Sequence, residues 1–415
     1  MRSGDAFSVS LIKGELKMII KADRIITGDG KTILENKAIC ITGEKIADIG
    51  DFEQLKKQYP DSPVKEYAGA TITPGLIDMH GHIGYWWSRS DARDFNDFMI
   101  AFFAVDYLKR SFANGVTTIR DSASPKNLSL TINKAIKAGF IEGPRIITAD
   151  HALSMTGGHV WENVGGTFEV NGPWEIRAAI RDNIKRGAQW TKIMSSHRSS
   201  IPEYTQEELN AAVDETHRVG KKAMVHAGTQ PAIQMCIDAG FDTIEHGTYM
   251  TVEQAKQMAE KNQVWIPTIT AYTILYERIV DIMENGGSNP GDLVFVQYYD
   301  YFRGAAEAYK NNFYKLYETG VKIAVGTDAV YDNCPATPVG LELKYMVKYG
   351  MPVLEAIKAA TKSGAETLSI DGITGEISVG NQADILVVSG NPLDDIGAME
   401  KVTELYFGGK SVYSA

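Results

Sequence analysis

The chain has little cysteine. Only Cys40, Cys236 and Cys334 occur in 415 residues. They are far apart, odd in number and form no CxxC pair, which argues against a disulfide framework or a cysteine-built zinc site. They read as reduced, mostly buried thiols of a cytoplasmic protein. Long hydrophobic runs are also missing: no stretch reaches about 18 apolar residues, so no membrane-spanning helix and no membrane partner are expected. The opening MRSGDAFSVSLIKGELK lacks the apolar segment of a secretory signal. A more structured run begins at Met18, and residues 1–17 read as a candidate N-terminal extension. Positive charge is the scarcer sign, with 42 Lys and Arg against 52 Asp and Glu and a net charge of −10. That balance argues against nucleic acid and anionic membranes as partners and leaves a small substrate open.

The chain does have enough apolar residues for a large core. Hydrophobic residues make up 44% and charged residues 23%. The length suits a barrel of about 250–300 residues plus a smaller companion domain. Residues 18–72 alternate apolar and polar positions and break at Gly-Asp-Gly and Gly-Glu. Residues 373–415 behave the same way. Two β-rich ends flanking a long middle predict one small β-sandwich domain, 18–72 plus 370–415, around a catalytic unit at 73–369.

Within that middle, apolar strands alternate with amphipathic helices. Strands are expected at 71–78, 116–120, 145–148, 190–194, 222–226, 242–246, 264–268 and 322–327, with helices such as 206–219 and 231–239 between them. Strand–helix repetition implies parallel strands with crossover helices. Eight units suggest an α/β fold closed as a (β/α)8 TIM barrel, though counting alone also permits an open sheet. A long loop is expected from 269 to about 290. A Tyr- and Phe-rich helix at 295–317 follows, which could cover the mouth, form a dimer contact or simply pack.

Chemistry concentrates at the predicted strand ends. His80 and His82, in TPGLIDMHGHIG, are neighbours at i and i+2 and so point to one face, where both imidazoles can reach one ion. Taken alone, such a pair also occurs without metal. Lys192 lies inside a predicted strand (QWTKIMSS), where a lysine is costly to bury unless its charge is used, removed or paired with an acid. Carboxylation by CO₂ is one solution, giving a carbamate able to bridge two metals. His226, His246 and Asp328 each end an apolar run (AMVHAGT, TIEHGT, IAVGTDA). Barrel enzymes place catalytic groups at such ends. Four of the eight histidines therefore fall at strand ends on three different strands, a pattern hard to attribute to chance.

The set resembles the amidohydrolase superfamily, in its binuclear-metal branch and its prolidase-like, imidazolonepropionase-related group. The resemblance covers essentially the whole chain and extends to GEKIADIG, TPGLIDMHGH, VGTDA and TGEISVGNQADILVV. It implies two divalent ions, zinc being the first expectation. His80, His82 and Asp328 would hold one ion, His226 and His246 the other, with carboxylated Lys192 between them. It further implies hydrolysis of the amide bond of a dipeptide (Xaa-Pro or related) or an N-acyl amino acid by a metal-activated hydroxide, with Asp328 moving the proton. A homo-oligomer is expected on the same grounds. His159, in SMTGGHV, and Tyr249 match positions that face substrate in that group, where either would help polarise the scissile carbonyl; each also reads as a loop or packing residue. Arg198 could hold a substrate carboxylate or lie solvated on the surface. Tyr85, Trp86, Trp87 and Trp161 suggest an aromatic-lined pocket and read equally as packing. Asp78 and Asp121 are expected to support the ligands rather than join them. Two rival readings are a cyclic-amide hydrolase of the imidazolonepropionase type, which Lys192 disfavours, and a non-catalytic scaffold, which the complete ligand set disfavours.

Overall fold

The structure, a computed structural model, describes residues 17–84, 96–159, 167–196, 201–287, 296–329 and 336–415. The two ends of the chain meet in one eight-stranded sheet. Its centre is Val64–Pro74, which runs parallel to Lys17–Ile26 (Ile19 beside Val64, Ile25 beside Ile72) and antiparallel to Ile385–Ser389 (Ile385 beside Pro74). Lys37–Thr42 and Lys45–Asp51 extend it on one side, and Val402–Phe407 and Lys410–Ser414 on the other. The two β-rich ends thus form one continuous hydrogen-bonded sheet. Alternate residues of its strands feed different clusters: Ile20, Ile39 and Ile72 pack in one, Ile19, Ala38 and Cys40 with Phe52 and Leu55 in another.

The middle of the chain forms the parallel strands. Leu76–Gly81, Val116–Asp121 and Arg145–Thr148 make one sheet. Ala152–Ser154, Trp190–Met194, Lys222–Ala227, Thr243–His246, Val264–Ile266 and Lys322–Ile323 make another, with Thr167–Glu169 added at its edge. The ladders do not run unbroken through all the strands. The third strand breaks at Asp150, whose φ of 63° turns the backbone out of the extended region. The last strand is only two residues long before Gly326 and Asp328. Individual backbone bonds span these gaps: Gln189 donates to Thr148 O at 2.8 Å, Met79 to Val325 O at 2.8 Å and Asp328 to His80 O at 2.8 Å.

Helices Gly172–Arg186, Gln206–Arg218, Gln230–Ala239 and Val252–Glu260 connect successive strands. Two of them start on capping boxes, Thr205 with Glu208 and Thr251 with Gln254. The helices bury their apolar faces against the outside of the strands in the largest core cluster. Ile77, Met79, Ile147, Trp190, Met224 and Ile266 pack in a separate cluster of their own.

Two expectations change. The first strand, predicted at 71–78, is split at Gly75, so that its front half belongs to the end sheet and its back half to the parallel strands. A Cβ at Gly75 would lie 2.4 Å from the Thr117 side chain, so the crossing needs glycine. The predicted loop from 269 is helix Ile269–Asn285, with Tyr272, Leu275, Ile279 and Ile282 buried at helical spacing. The aromatic helix is Tyr299–Tyr317 and packs against it, burying Phe302, Tyr309 and Phe313; Phe295 lies outside the described residues. Cys40 and Cys236 are buried and free, and Cys334 lies outside the described residues. Among the described residues, no helix is long and apolar enough to cross a membrane.

Candidate metal centre

At the carboxyl ends of the parallel strands the structure brings together the five residues singled out by their strand-end placement, with Lys192 beside them. The His80 and His82 rings are 5.2 Å apart between centroids, His80 and His246 5.0 Å, and His226 and His246 4.4 Å. Asp328 Oδ1 lies 3.2 Å from His82 Nε2 and 3.8 Å from His80 Nε2. Lys192 Nζ lies 3.5 Å from His80 Nε2. Ligand atoms of His80, His246 and Asp328 all fall within 4.8 Å of one another, close enough to share one ion.

Backbone conformation helps to aim these side chains. His246 and Asp328 adopt φ of 67° and 48°, the left-handed region that non-glycine residues rarely enter, and so does Thr268 at 51°. At His246 this turns the imidazole out of the strand alternation, so that it joins the cluster although Glu245 beside it does so too. Residues held in such conformations mark sites where the surroundings over-determine the geometry.

Three histidines of the cluster make a scaffold contact through Nδ1. His80 Nδ1 is 2.6 Å from Glu245 Oε2, His82 Nδ1 3.1 Å from Ala123 O, and His246 Nδ1 2.7 Å from Thr268 Oγ1. Their Nε2 atoms are left as the natural ligand atoms, the arrangement that hydrogen-bonded support gives metal-binding histidines. Asp78 and Asp121 brace the backbone instead. Asp78 accepts from the His80 and Thr327 N–H groups at 3.0 Å each, and Asp121 accepts from Ile83 N–H at 2.9 Å.

Burial sets the electrostatics. It drives the pKa of His80 well below the imidazole range, with Lys192 adding to the effect. It does the same at His226, helped by His159, and lowers His246 to about 4. These are neutral imidazoles with lone pairs to give. Burial pushes Asp328 up, but the facing His80, His82 and His246 outweigh it and hold its carboxyl below the usual range. Burial also lowers the Lys192 amine to about 8, in spite of the Glu245 and Asp328 carboxylates. A neutral imidazole set, an ionised carboxylate and an amine that readily loses its proton fit a divalent cation of the zinc type, and they fit a carbamate at Lys192.

The remaining candidates divide. His159 reaches the cluster, its ring stacked on His226 at 4.1 Å. Tyr249 is half-buried; its hydroxyl lies 3.0 Å from where a Cβ on Gly304 would stand, so it packs toward helix Tyr299–Tyr317. Arg198, Tyr85, Trp86, Trp87 and Trp161 lie outside the described residues. Sequence reasoning missed Glu245, Arg120 and Thr268. The signal for the first two was available, since TTIRD and TIEH each carry a charge inside an apolar strand. Tyr272 was missed as well. Its ring is 5.5 Å from His246, and it leads into an aromatic group with Tyr301, Phe302 and Tyr309.

Residues 71–412 match the model of the amidohydrolase family. The chain belongs to the amidohydrolase family. Ochratoxinase of Aspergillus niger is 30% identical to this amidohydrolase, over 94% of the chain and 86% of the relative. A crystal structure of a Xaa-Pro dipeptidase with methionine bound in its active site superposes with a TM-score of 0.84 at 31% identity, covering 96% of this chain and all of the other. Imidazolonepropionase of Streptococcus gordonii is 23% identical over 87% of this chain and 86% of its own length. Within the superfamily this amidohydrolase falls in the prolidase-like group and is a hydrolase acting on amide bonds.

Proposed function

We propose that this amidohydrolase cleaves the amide bond of a dipeptide, Xaa-Pro or related, or of an N-acyl amino acid, at a centre holding two divalent metal ions. The observation that carries the reading is Lys192. Its buried amine lies 3.5 Å from His80 Nε2, among imidazoles on both sides of the cluster, where a carbamate could serve two ions. The similarity to a Xaa-Pro dipeptidase and to ochratoxinase supports the substrate class. The parallel strands are read as the wall of a (β/α)8 barrel with the ligands at its mouth, where barrel enzymes keep their chemistry.

His80, His82 and Asp328 would hold one ion, His226 and His246 the other, with carboxylated Lys192 between them. Bound metal lowers the pKa of a coordinated water to roughly 7 and polarises a carbonyl. Asp328 would accept a proton from the attacking water and deliver it to the leaving nitrogen, which departs only when protonated. His159, stacked beside His226, would donate to the acyl oxygen as it gains charge. His82 and His80 face Asp328 through Nε2 at 3.2 and 3.8 Å.

Elemental analysis of protein purified without chelator and with bicarbonate tests the centre. About two ions per chain are expected, falling in Lys192→Ala. A panel of Xaa-Pro dipeptides and N-acyl amino acids should then show metal-dependent hydrolysis. One ion per chain, unaffected by Lys192→Ala, would overturn the paired centre in favour of a single-metal hydrolase.

A further inference from the structure

We propose that Arg120 and Glu245 are positioning residues that lock His80 in one tautomer, with the proton on Nδ1 and the Nε2 lone pair facing Asp328 and Lys192. Both are fully buried. Glu245 holds His80 Nδ1 at 2.6 Å. Arg120 Nη2 donates to both Glu245 oxygens, at 2.8 and 2.9 Å, and Nη1 donates to Thr243 Oγ1 at 3.0 Å. The Thr243 hydroxyl in turn donates to Glu245 Oε1. Arg120 Nε donates to Met79 O at 2.6 Å, the carbonyl just before His80. The guanidinium therefore grips both the acceptor that faces the imidazole and the backbone that carries it, and its plane rests over Trp190 at 4.6 Å.

The lock follows from donor and acceptor bookkeeping. A guanidinium only donates and an ionised carboxylate only accepts. With two Glu245 oxygens fixed by Arg120 and Thr243, the group presented to His80 is an acceptor, so Nδ1 must carry the hydrogen. Nε2 is then unprotonated and faces Asp328 at 3.8 Å and Lys192 at 3.5 Å. A buried ion pair is costly to assemble; here its geometry fixes a single imidazole orientation across three strands, those of Met79, Arg120 and Glu245.

The inference rests on the metal reading only for its purpose, not for the tautomer itself. Metal-free full-length protein labelled with ¹⁵N-histidine tests it by two-bond ¹H–¹⁵N correlation, with His80→Gln used to assign the signal. Wild type should show His80 protonated on Nδ1. Glu245→Gln should invert this. Arg120 and Thr243 would claim the amide oxygen and turn the NH₂ group toward His80, forcing the proton to Nε2. Zinc affinity, measured by chelator competition, should fall about 10–100-fold in the same variant. A wild-type His80 protonated on Nε2 would overturn the proposal whether or not any variant folds. So would a Glu245→Gln protein with the wild-type tautomer and unchanged zinc affinity. Inversion of the tautomer in a protein that takes up no zinc would uphold the lock and sink the metal reading alone.

Discussion

His159 lies stacked on His226, ring centroids 4.1 Å apart and planes 27° from parallel. Its backbone is tied on both sides: its N–H donates to Glu203 Oε2 at 3.0 Å, and its carbonyl accepts from Ser154 Oγ at 3.0 Å. The imidazole thus reaches the cluster from a fixed loop rather than from a strand. If it donates to the acyl oxygen, His159→Phe should preserve the stacking and the metal content while lowering kcat/KM about 100-fold, the usual loss for one such donor. Near-native turnover in that variant would leave His159 only its stacking contact.

Lys192 gives a pH test that needs no substrate. Its amine titrates at about 8 in the folded chain against 10.5 when free, because burial penalises the charged form. Between those values the unfolded chain holds a proton that the folded chain has released, so stability rises with pH across the window. Below about pH 8 the penalty is felt in full. In metal-free protein without bicarbonate, Lys192→Met should therefore be more stable than wild type at neutral pH. That advantage should shrink as the pH climbs from 8 toward 10.5. Thermal melts at several pH values check it, and a difference that stays constant through the window would contradict a buried, chargeable amine.

Much of this candidate centre is legible in the sequence because most of its candidate ligands fall at the ends of apolar runs, where strand periodicity is strongest. His80, His82, His226, His246 and Asp328 could be placed that way, and Lys192 by the cost of a lysine inside an apolar strand. What the sequence hides is support from distant segments. Glu245 reads as a misfit acid until Arg120, 125 positions away, is seen to pair with it. Thr268 looks like an ordinary strand end, yet its left-handed backbone carries the hydroxyl that meets His246. The strand map also blurs where two structures share one run. Residues 71–78 look like a single strand, and only the crossing at Gly75 divides them between the end sheet and the parallel strands. Helix Ile269–Asn285 escapes notice because it follows a strand directly, with no conventional cap to announce it.

Gly326 should be intolerant of any side chain. A Cβ there would stand 2.4 Å from Ile266 Cγ2, 2.7 Å from His80 Cβ and 3.0 Å from His80 N. Its neighbours are a core isoleucine and the backbone of a candidate ligand, so neither can yield without moving the centre. Gly326→Ala is expected to cost about 1–3 kcal/mol of stability, as overpacking does, and to reduce metal content per chain. Denaturant titration and elemental analysis read the two effects separately. A variant with native stability and a full metal complement would show that the segments bearing His80 and Gly326 separate more freely than this packing allows.

Asp328 offers the cleanest separation of structure from chemistry. Its φ of 48° would strain most replacements, but asparagine enters the left-handed region readily. Asp328→Asn should also keep the backbone bond from its N–H to His80 O. An amide oxygen can still face His82 Nε2, so folding and much of the metal binding should survive. What the amide cannot do is take a proton from water and return it to the leaving nitrogen. Turnover of a Xaa-Pro or N-acyl substrate should fall about 10²–10⁴-fold, the range expected when a general acid–base is removed. The fall should appear in kcat, with metal content measured on the same preparation. Turnover close to wild type would assign proton transfer to another group, while a fall that tracked metal loss in proportion would make Asp328 a ligand only.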